Sequence, residues 1–265
     1  MIRGFPVRQV HAALLKKEIL MKGTIVTNGD LALTVVLGTD IDIRISKMVR
    51  LLRQTIEKEN ITGIVELVPA YCTLMVHYRP ELILFDALKD RLISIMERLD
   101  ETDAEKDEEE RVLVIPVYYA DVQDTDFTDV AEFHHISKEE LVRRHTEKEN
   151  YTYMLGAHPG MGYLVADNGL QMPRHANPRA KIHEGDVIVF RNQSIVMAMD
   201  YPSGWYVIGR TPVRAFMMEK EEPFLMKAGQ WVKFESITKD EFEKIEKEVE
   251  EGRYVQRFYE KKGTA

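Results

Sequence analysis

Between Asp100 and Glu110 the chain reads DETDAEKDEEE, in which eight of the eleven residues are acidic. Like charges packed this closely repel one another and resist burial, so the stretch cannot run through a hydrophobic core. It reads as a solvated linker, with an acidic docking segment as the rival use, and it marks the best domain boundary in the chain. A chain of 265 residues is long enough for two ordinary domains on either side of such a boundary.

The two sides differ in texture. Before the linker, Leu31, Leu33, Val35 and Leu37 alternate as in a half-buried strand. Ile45, Met48, Val49, Leu52 and Ile56 recur at helical spacing, with Asn60 and Gly63 bracketing the end of the helix. Ile64 to Val68 reads as a strand stopped by Pro69, and Leu74, Val76 and Tyr78 alternate again. Leu82, Phe85, Leu88, Leu92, Ile95, Met96 and Leu99 form a second helical stripe. Two helices on one face of a small antiparallel sheet would bury all of these stripes, an α+β arrangement with ferredoxin-like layers.

After the linker, Val112 to Tyr119 is strand-like, and Ser137 with Glu140 forms a capping box for a short helix reaching about His145. From Tyr151 to Phe234 short apolar runs are cut by Gly and Pro, which predicts a sandwich or barrel. A second capping box, Thr238 with Glu241, opens a helix carrying Phe242, Ile245 and Val249 and ending at Gly252. The expected division is an N-terminal extension over 1–20, the α+β domain over 21–99, the linker over 100–111, the β domain over 112–237, and a C-terminal helix and tail over 238–265. The extension carries Arg3, Arg8, Lys16 and Lys17 with no acid before Glu18. It lacks the continuous apolar core of a targeting peptide and reads as an extra helix or as residues ahead of an alternative start at Met21.

Composition narrows the function. The net charge of −8 argues against a nucleic-acid backbone as partner, because that needs clustered Lys and Arg. Cys72 is the only cysteine, which excludes an internal disulfide framework and a cysteine-rich zinc site and fits a reducing cytoplasm. No apolar run is long enough to span a membrane.

Three constellations are candidates for chemistry. In Pro173-Arg174-His175-Ala176-Asn177-Pro178-Arg179 the prolines stiffen the segments that carry Arg174 and Arg179. Two guanidiniums so held are either an anion clamp or a pair of arginines tying a loop down through carbonyl and carboxylate contacts. The Gly156–Tyr163 run places three glycines around His158 and lets the backbone approach a ligand or turn sharply; its histidine is an acid/base candidate or a surface residue. Tyr201–Pro212, YPSGWYVIGRTP, is a tight turn feeding a strand or part of a ligand site. The remaining histidines lack metal-ligand spacing, so no metal site is expected.

In order and spacing these segments resemble the allophanate hydrolase subunit 1 family, which includes the sporulation-kinase inhibitor, the B-type subunit of 5-oxoprolinase and a carboxyltransferase subdomain of urea carboxylase. The resemblance runs from about Lys22 to Ile237. It rests on Gly29-Asp30 with Ala32-Leu33, Gly38 and Ile41-Asp42, and on Val68-Pro69-Ala70-Tyr71 followed by Leu74, Val76 and Tyr78. It continues through His145, Gly156…Pro159-Gly160…Tyr163-Leu164, the Pro-Arg repeat, Gly185, Gln193, Gly204-Trp205, Ile208–Pro212 and Ala228-Gly229.

The resemblance implies an α+β domain followed by a cyclophilin-like β-barrel. It implies a subunit of an amide-hydrolysing or carboxyl-transfer enzyme, working with a sister barrel subunit like allophanate hydrolase subunit 2, with ATP or biotin supplied within the complex. The site residues it suggests are His145 or His158 as acid/base groups, Arg174 and Arg179 on a carboxylate or phosphate, and Gln193, Arg210 and Thr211 on the substrate. The alternative it carries is a non-catalytic regulator that binds a histidine kinase.

The sequence also departs from the family pattern. Ala157 and Met161 stand where Phe is usual, and Asn150 where Tyr is usual. Gln193-Ser194-Ile195-Val196-Met197-Ala198 replaces a Gln-Thr-Gly-Ile-Tyr-Pro run, and Tyr201 precedes Pro202 where Ser is usual. Lost aromatics remove stacking surface, and Ile195 and Tyr201 fill space. The implied pocket wall is rewritten, which fits a changed substrate or a binding role.

Overall fold

The computed structural model describes residues 23–99, 111–120 and 125–261. The expected N-terminal extension, and the acidic linker as far as residue 110, lie outside the described residues. The chain divides into two compact units, Met1–Glu108 and Glu109–Ala265.

In the first unit the described elements run β1 (Thr24–Thr27), β2 (Ala32–Val36), α1 (Ile43–Glu59), β3 (Ile64–Pro69), β4 (Thr73–Tyr78) and α2 (Phe85–Arg98). The sheet order is β1-β2-β4-β3, and every neighbouring pair is antiparallel. Strands β2 and β3 therefore run parallel with β4 between them, and α1 is the crossover, a split β-α-β unit. Asp42 caps α1 by accepting from the Arg44 amide, and Asn60 ends it in the left-handed conformation that Asn tolerates. The predicted stripe Ile45, Met48, Val49, Leu52 and Ile56 is buried, as are Leu88, Leu92, Ile95 and Met96 of α2. They meet Leu33, Val35, Leu74 and Val76 from the sheet. Each such side chain contributes about 1.5–3 kcal/mol by leaving water. Of the predicted apolar positions Leu31, Val65, Val68 and Leu82 do not join. Leu31 is 61% exposed ahead of β2, and Leu82 is 55% exposed because α2 starts only at Phe85.

The second unit contains β5 (Arg111–Val117), α3 (Phe127–Phe133), α4 (Lys138–Glu147), β6 (Asn150–Leu155), β7 (Gly162–Val165), β8 (Arg179–Ile182), β9 (Asp186–Phe190), β10 (Gln193–Val196), β11 (Tyr201–Ser203), β12 (Tyr206–Arg210), β13 (Trp231–Ser236), α5 (Lys239–Glu250) and β14 (Arg257–Glu260). Eight strands form one sheet in the order β12-β9-β10-β7-β6-β13-β5-β14, and β11 pairs with β8. Among the described strands of this unit only the β13–β5 pair is parallel.

Just past β5, Tyr118 exchanges two backbone hydrogen bonds with Arg210 at the end of β12, at 2.8 and 2.9 Å. That bridge joins the first strand of the row to the end of the last but one, so the sheet curls onto itself around one apolar core. Gly209 makes the seam possible: a Cβ there would lie 2.8 Å from Val117 Cγ1 and 2.9 Å from the Tyr118 carbonyl oxygen.

The helices of this unit pack on the same sheet, α3 against β12 and α4 against β13. Ser137 caps α4 through the Glu140 amide, but the expected return bond from Glu140 does not form. Its carboxylate is taken by Arg143 and Arg144, which pull its pKa down to about 2. The box at Thr238 and Glu241 is complete in both directions. No helix among the described residues is long and apolar enough to cross a membrane.

Candidate functional site

Strand β10 sorts the candidates, because successive side chains point to opposite faces of a sheet. Ser194 pairs with Val189 and Leu164, and Leu164 pairs with Thr152, so these share one face. Gln193 pairs with Phe190 and Val165 on the other face.

On the Ser194 face lies His145, which α4 delivers fully buried. One ring nitrogen, Nε2, is 2.9 Å from Ser194 Oγ, and the other, Nδ1, is 2.7 Å from the Tyr119 hydroxyl. The ring stacks on Phe234 with centroids 4.5 Å apart. Whichever nitrogen carries the proton, one hydroxyl donates and the other accepts, so both nitrogens of the neutral ring are satisfied. Burial holds the His145 pKa down at about 3 and pushes the Tyr119 hydroxyl up. Tyr119, His145 and Ser194 thus form a neutral polar thread inside an apolar core.

The Gln193 face carries a different group. Phe190 closes β9 and packs against Trp205 at 5.1 Å, and Trp205 meets Tyr163 edge-on. The guanidinium carbon of Arg174 lies 6.0 Å from the Phe190 ring centroid and that of Arg191 lies 5.2 Å from it. Arg174 reaches this place because its loop is pinned: the His175 amide donates to the Gly204 carbonyl at 2.8 Å, and the His175 ring stacks on Tyr206 at 3.7 Å. A Cβ on Gly204 would come within 3.4 Å of Arg174 Nε. Arg174 and Gln193 are therefore brought to one face.

The other predicted residues are placed elsewhere. Arg179 does not join Arg174, because its Nη2 lies 2.5 Å from Asp126 Oδ1. Asp126 is almost fully buried, and its second oxygen accepts from the Val207 amide at 2.8 Å. Arg210 is likewise engaged, with Nε 2.7 Å from the buried Asp186. Thr211 spends its hydroxyl accepting from the Val213 amide. His158 stands in the β6–β7 loop edge-on to Tyr201 at 4.1 Å, apart from Tyr119 and Ser194, which His145 meets. The close approach made by Gly160 of that loop is to the protein itself, since a Cβ there would lie 2.7 Å from the Ala215 carbonyl oxygen. Among the described residues no group of three or more His, Cys, Asp or Glu is gathered as metal ligands would be.

Comparison with known proteins fits this layout. Residues 23–226 match the model of the carboxyltransferase domain, subdomain C and D. The chain belongs to that family. Its relatives include the B-type subunit of 5-oxoprolinase from Bacillus subtilis, 30% identical over 83% of this chain and 95% of that one. The Haemophilus influenzae protein of the same name is 33% identical over 53% of this chain and 68% of its own. Among solved structures, K. lactis urea amidolyase superposes with a TM-score of 0.74 over 91% of this chain at 17% identity, a likeness of fold. This chain spans 17% of that longer protein.

In this family member a second feature lies apart from the Phe190 group. A groove of about 220 Å³ between the Gly185 and Thr211 turns and α5 is lined by Glu184, Arg210, Thr211, Arg214, Glu246 and Glu250 among others. Its two arginines are already paired, Arg210 with Asp186 and Arg214 with Glu184. Sequence reasoning missed Tyr119, Asp126, Phe190, Ser194 and Arg191. For Arg191 a signal existed, since Phe190 and Gln193 flank a two-residue turn in which glycine or asparagine is expected.

Proposed function

We propose that this chain is one subunit of a heteromeric enzyme that opens a cyclic amide of the 5-oxoproline kind, acting with a sister carboxyltransferase-type subunit. The observation that carries the reading is the match to a relative named as the B-type subunit of 5-oxoprolinase, along 95% of that relative's length. The split β-α-β unit supports a ferredoxin-like first domain, and the sheet closed at Tyr118 and Arg210 supports a cyclophilin-like barrel as the second. ATP or biotin is supplied from within the complex, and the complex works in the cytoplasm, which a chain with a single cysteine suits.

Roles follow from position. Arg174 carries the substrate's negative charge, with Gln193 beside it for the amide. Arg179 and Arg210 hold loops through Asp126 and Asp186, and Thr211 holds its turn. His158, part-exposed in its loop, is the acid/base group of this chain, whereas His145 is committed on both nitrogens.

The test is to tag the chain at its C-terminus, recover it from its own host and identify what co-purifies by mass spectrometry. A stoichiometric sister subunit, and a complex that hydrolyses 5-oxoproline, is the expected result. A histidine kinase in its place, or no partner, would sink the reading.

A further inference from the structure

Among the described residues three arginines of the second unit face an aromatic ring and no carboxylate: Arg111 over Phe258, and Arg174 and Arg191, which share the Phe190 ring. Arg179, Arg210 and Arg214 each meet a carboxylate within hydrogen-bond distance. Arg174 and Arg191 do not: among the described residues their contact is with the face of Phe190. In a chain of net charge −8 acidic partners are plentiful, yet these two guanidiniums share one aromatic ring and no carboxylate. Among the described residues no hydrogen bond takes up the guanidinium N–H groups of either arginine, so they remain available beside the ring.

The backbone gives a second, independent sign. Arg191 has φ +51, in the left-handed region that favours glycine. It occupies the first position of the two-residue turn between β9 and β10, and its amide and carbonyl both bond to Met172, at 2.6 and 3.3 Å. A non-glycine residue held there costs conformational energy, and such strain gathers where a side chain is needed for binding. Glycine would fit this turn better. What arginine adds is the guanidinium beside Phe190.

We propose that Arg174 and Arg191 form an oxyanion-binding site, taking a carboxylate or phosphate group through the N–H groups of two guanidiniums set against Phe190. Arg191, not Arg179, is thus the partner of Arg174. That the ligand is a small carboxylate rests on the function proposed above, whereas the site's identity as an anion site rests on the geometry alone. Planar forks suit oxyanions bidentately, and the two together discriminate a charged ligand from its neutral isostere.

Trp205 packs on Phe190 and reports the site, provided that the only other tryptophan, Trp231, is replaced. In a Trp231→Phe background of the full chain, emission is followed while 5-oxoproline, its uncharged counterpart 2-pyrrolidinone and inorganic phosphate are titrated in turn. A saturable change with 5-oxoproline and none with 2-pyrrolidinone is expected. Arg191→Gly and Arg174→Gln each weaken that response at least tenfold. Arg191→Gly does so with an unchanged or raised melting temperature, an outcome that a merely structural arginine would not give. Saturation by phosphate without 5-oxoproline upholds the anion site and counts against the lactam substrate. No saturable response to either anion, an equal response to 2-pyrrolidinone, or unchanged affinity in Arg191→Gly overturns the proposal.

Discussion

Acid should destabilise the second unit through His145 alone by about 2 kcal/mol between pH 7 and pH 5. The ring is fully buried with a pKa near 3, against an ordinary value of 6.5 once the chain unfolds. Between those values the unfolded chain takes up a proton that the folded chain refuses. The stability conferred by a neutral His145 is therefore complete above about pH 6.5 and is lost progressively as pH falls toward 3. From 6.5 to 5 is about 1.5 pH units at about 1.4 kcal/mol each, which gives the figure. The assay is urea unfolding at both pH values, followed by tryptophan emission. Trp205 and Trp231 are the only tryptophans and both belong to the second unit, so the signal reports that unit. Carboxylates titrate over the same range, and the comparison with His145→Gln removes their share. The variant begins less stable, having lost a hydrogen bond and the stack on Phe234, but its decline from pH 7 to 5 is about 2 kcal/mol shallower. Parallel declines in the two proteins would refute the assignment of a buried neutral imidazole.

Two substitutions test the supports of the site. Asp126→Asn leaves Arg179 without its counter-charge and faces it with an amide; because the Arg179 side chain is 29% exposed, the loss in urea unfolding is about 2–3 kcal/mol, below the figure for a fully buried pair. Gly209→Ala drives a methyl group against Val117 and the Tyr118 carbonyl, so the second unit loses about 1–3 kcal/mol and amide exchange at Tyr118 and Arg210 accelerates.

What the sequence made legible was whatever depends on near neighbours. The α1 stripe, the Thr238 box and the Gly252 stop are set by residues within a few positions, and the structure forms all three. Leu82 misled because it lies one turn ahead of α2 and happens to keep the spacing. Helix α3 was missed because seven residues hold too few apolar positions to show a period, and its N-cap Asp126 spends its carboxylate on Arg179 and Val207.

The site itself depends on pairings that no local pattern records. Asp126 and Arg179 are 53 residues apart, Asp186 and Arg210 are 24 apart, and His145 meets Ser194 across 49. Whether an arginine is a tie or a clamp is decided by those distant carboxylates. From the sequence Arg174 and Arg179 were equivalent; the fold makes one internal and leaves the other open.

The alternation along β10 links two demands that are usually separate. Ser194 completes the thread to His145, and Gln193, its neighbour, faces Phe190 on the opposite side. A slip of one residue in this strand would put an amide where the histidine needs a hydroxyl and withdraw the glutamine from the arginine face. Misregistered chains would thus be penalised from within before they could present a faulty outer surface. The buried histidine acts as a proofreader for the geometry of the face it never touches.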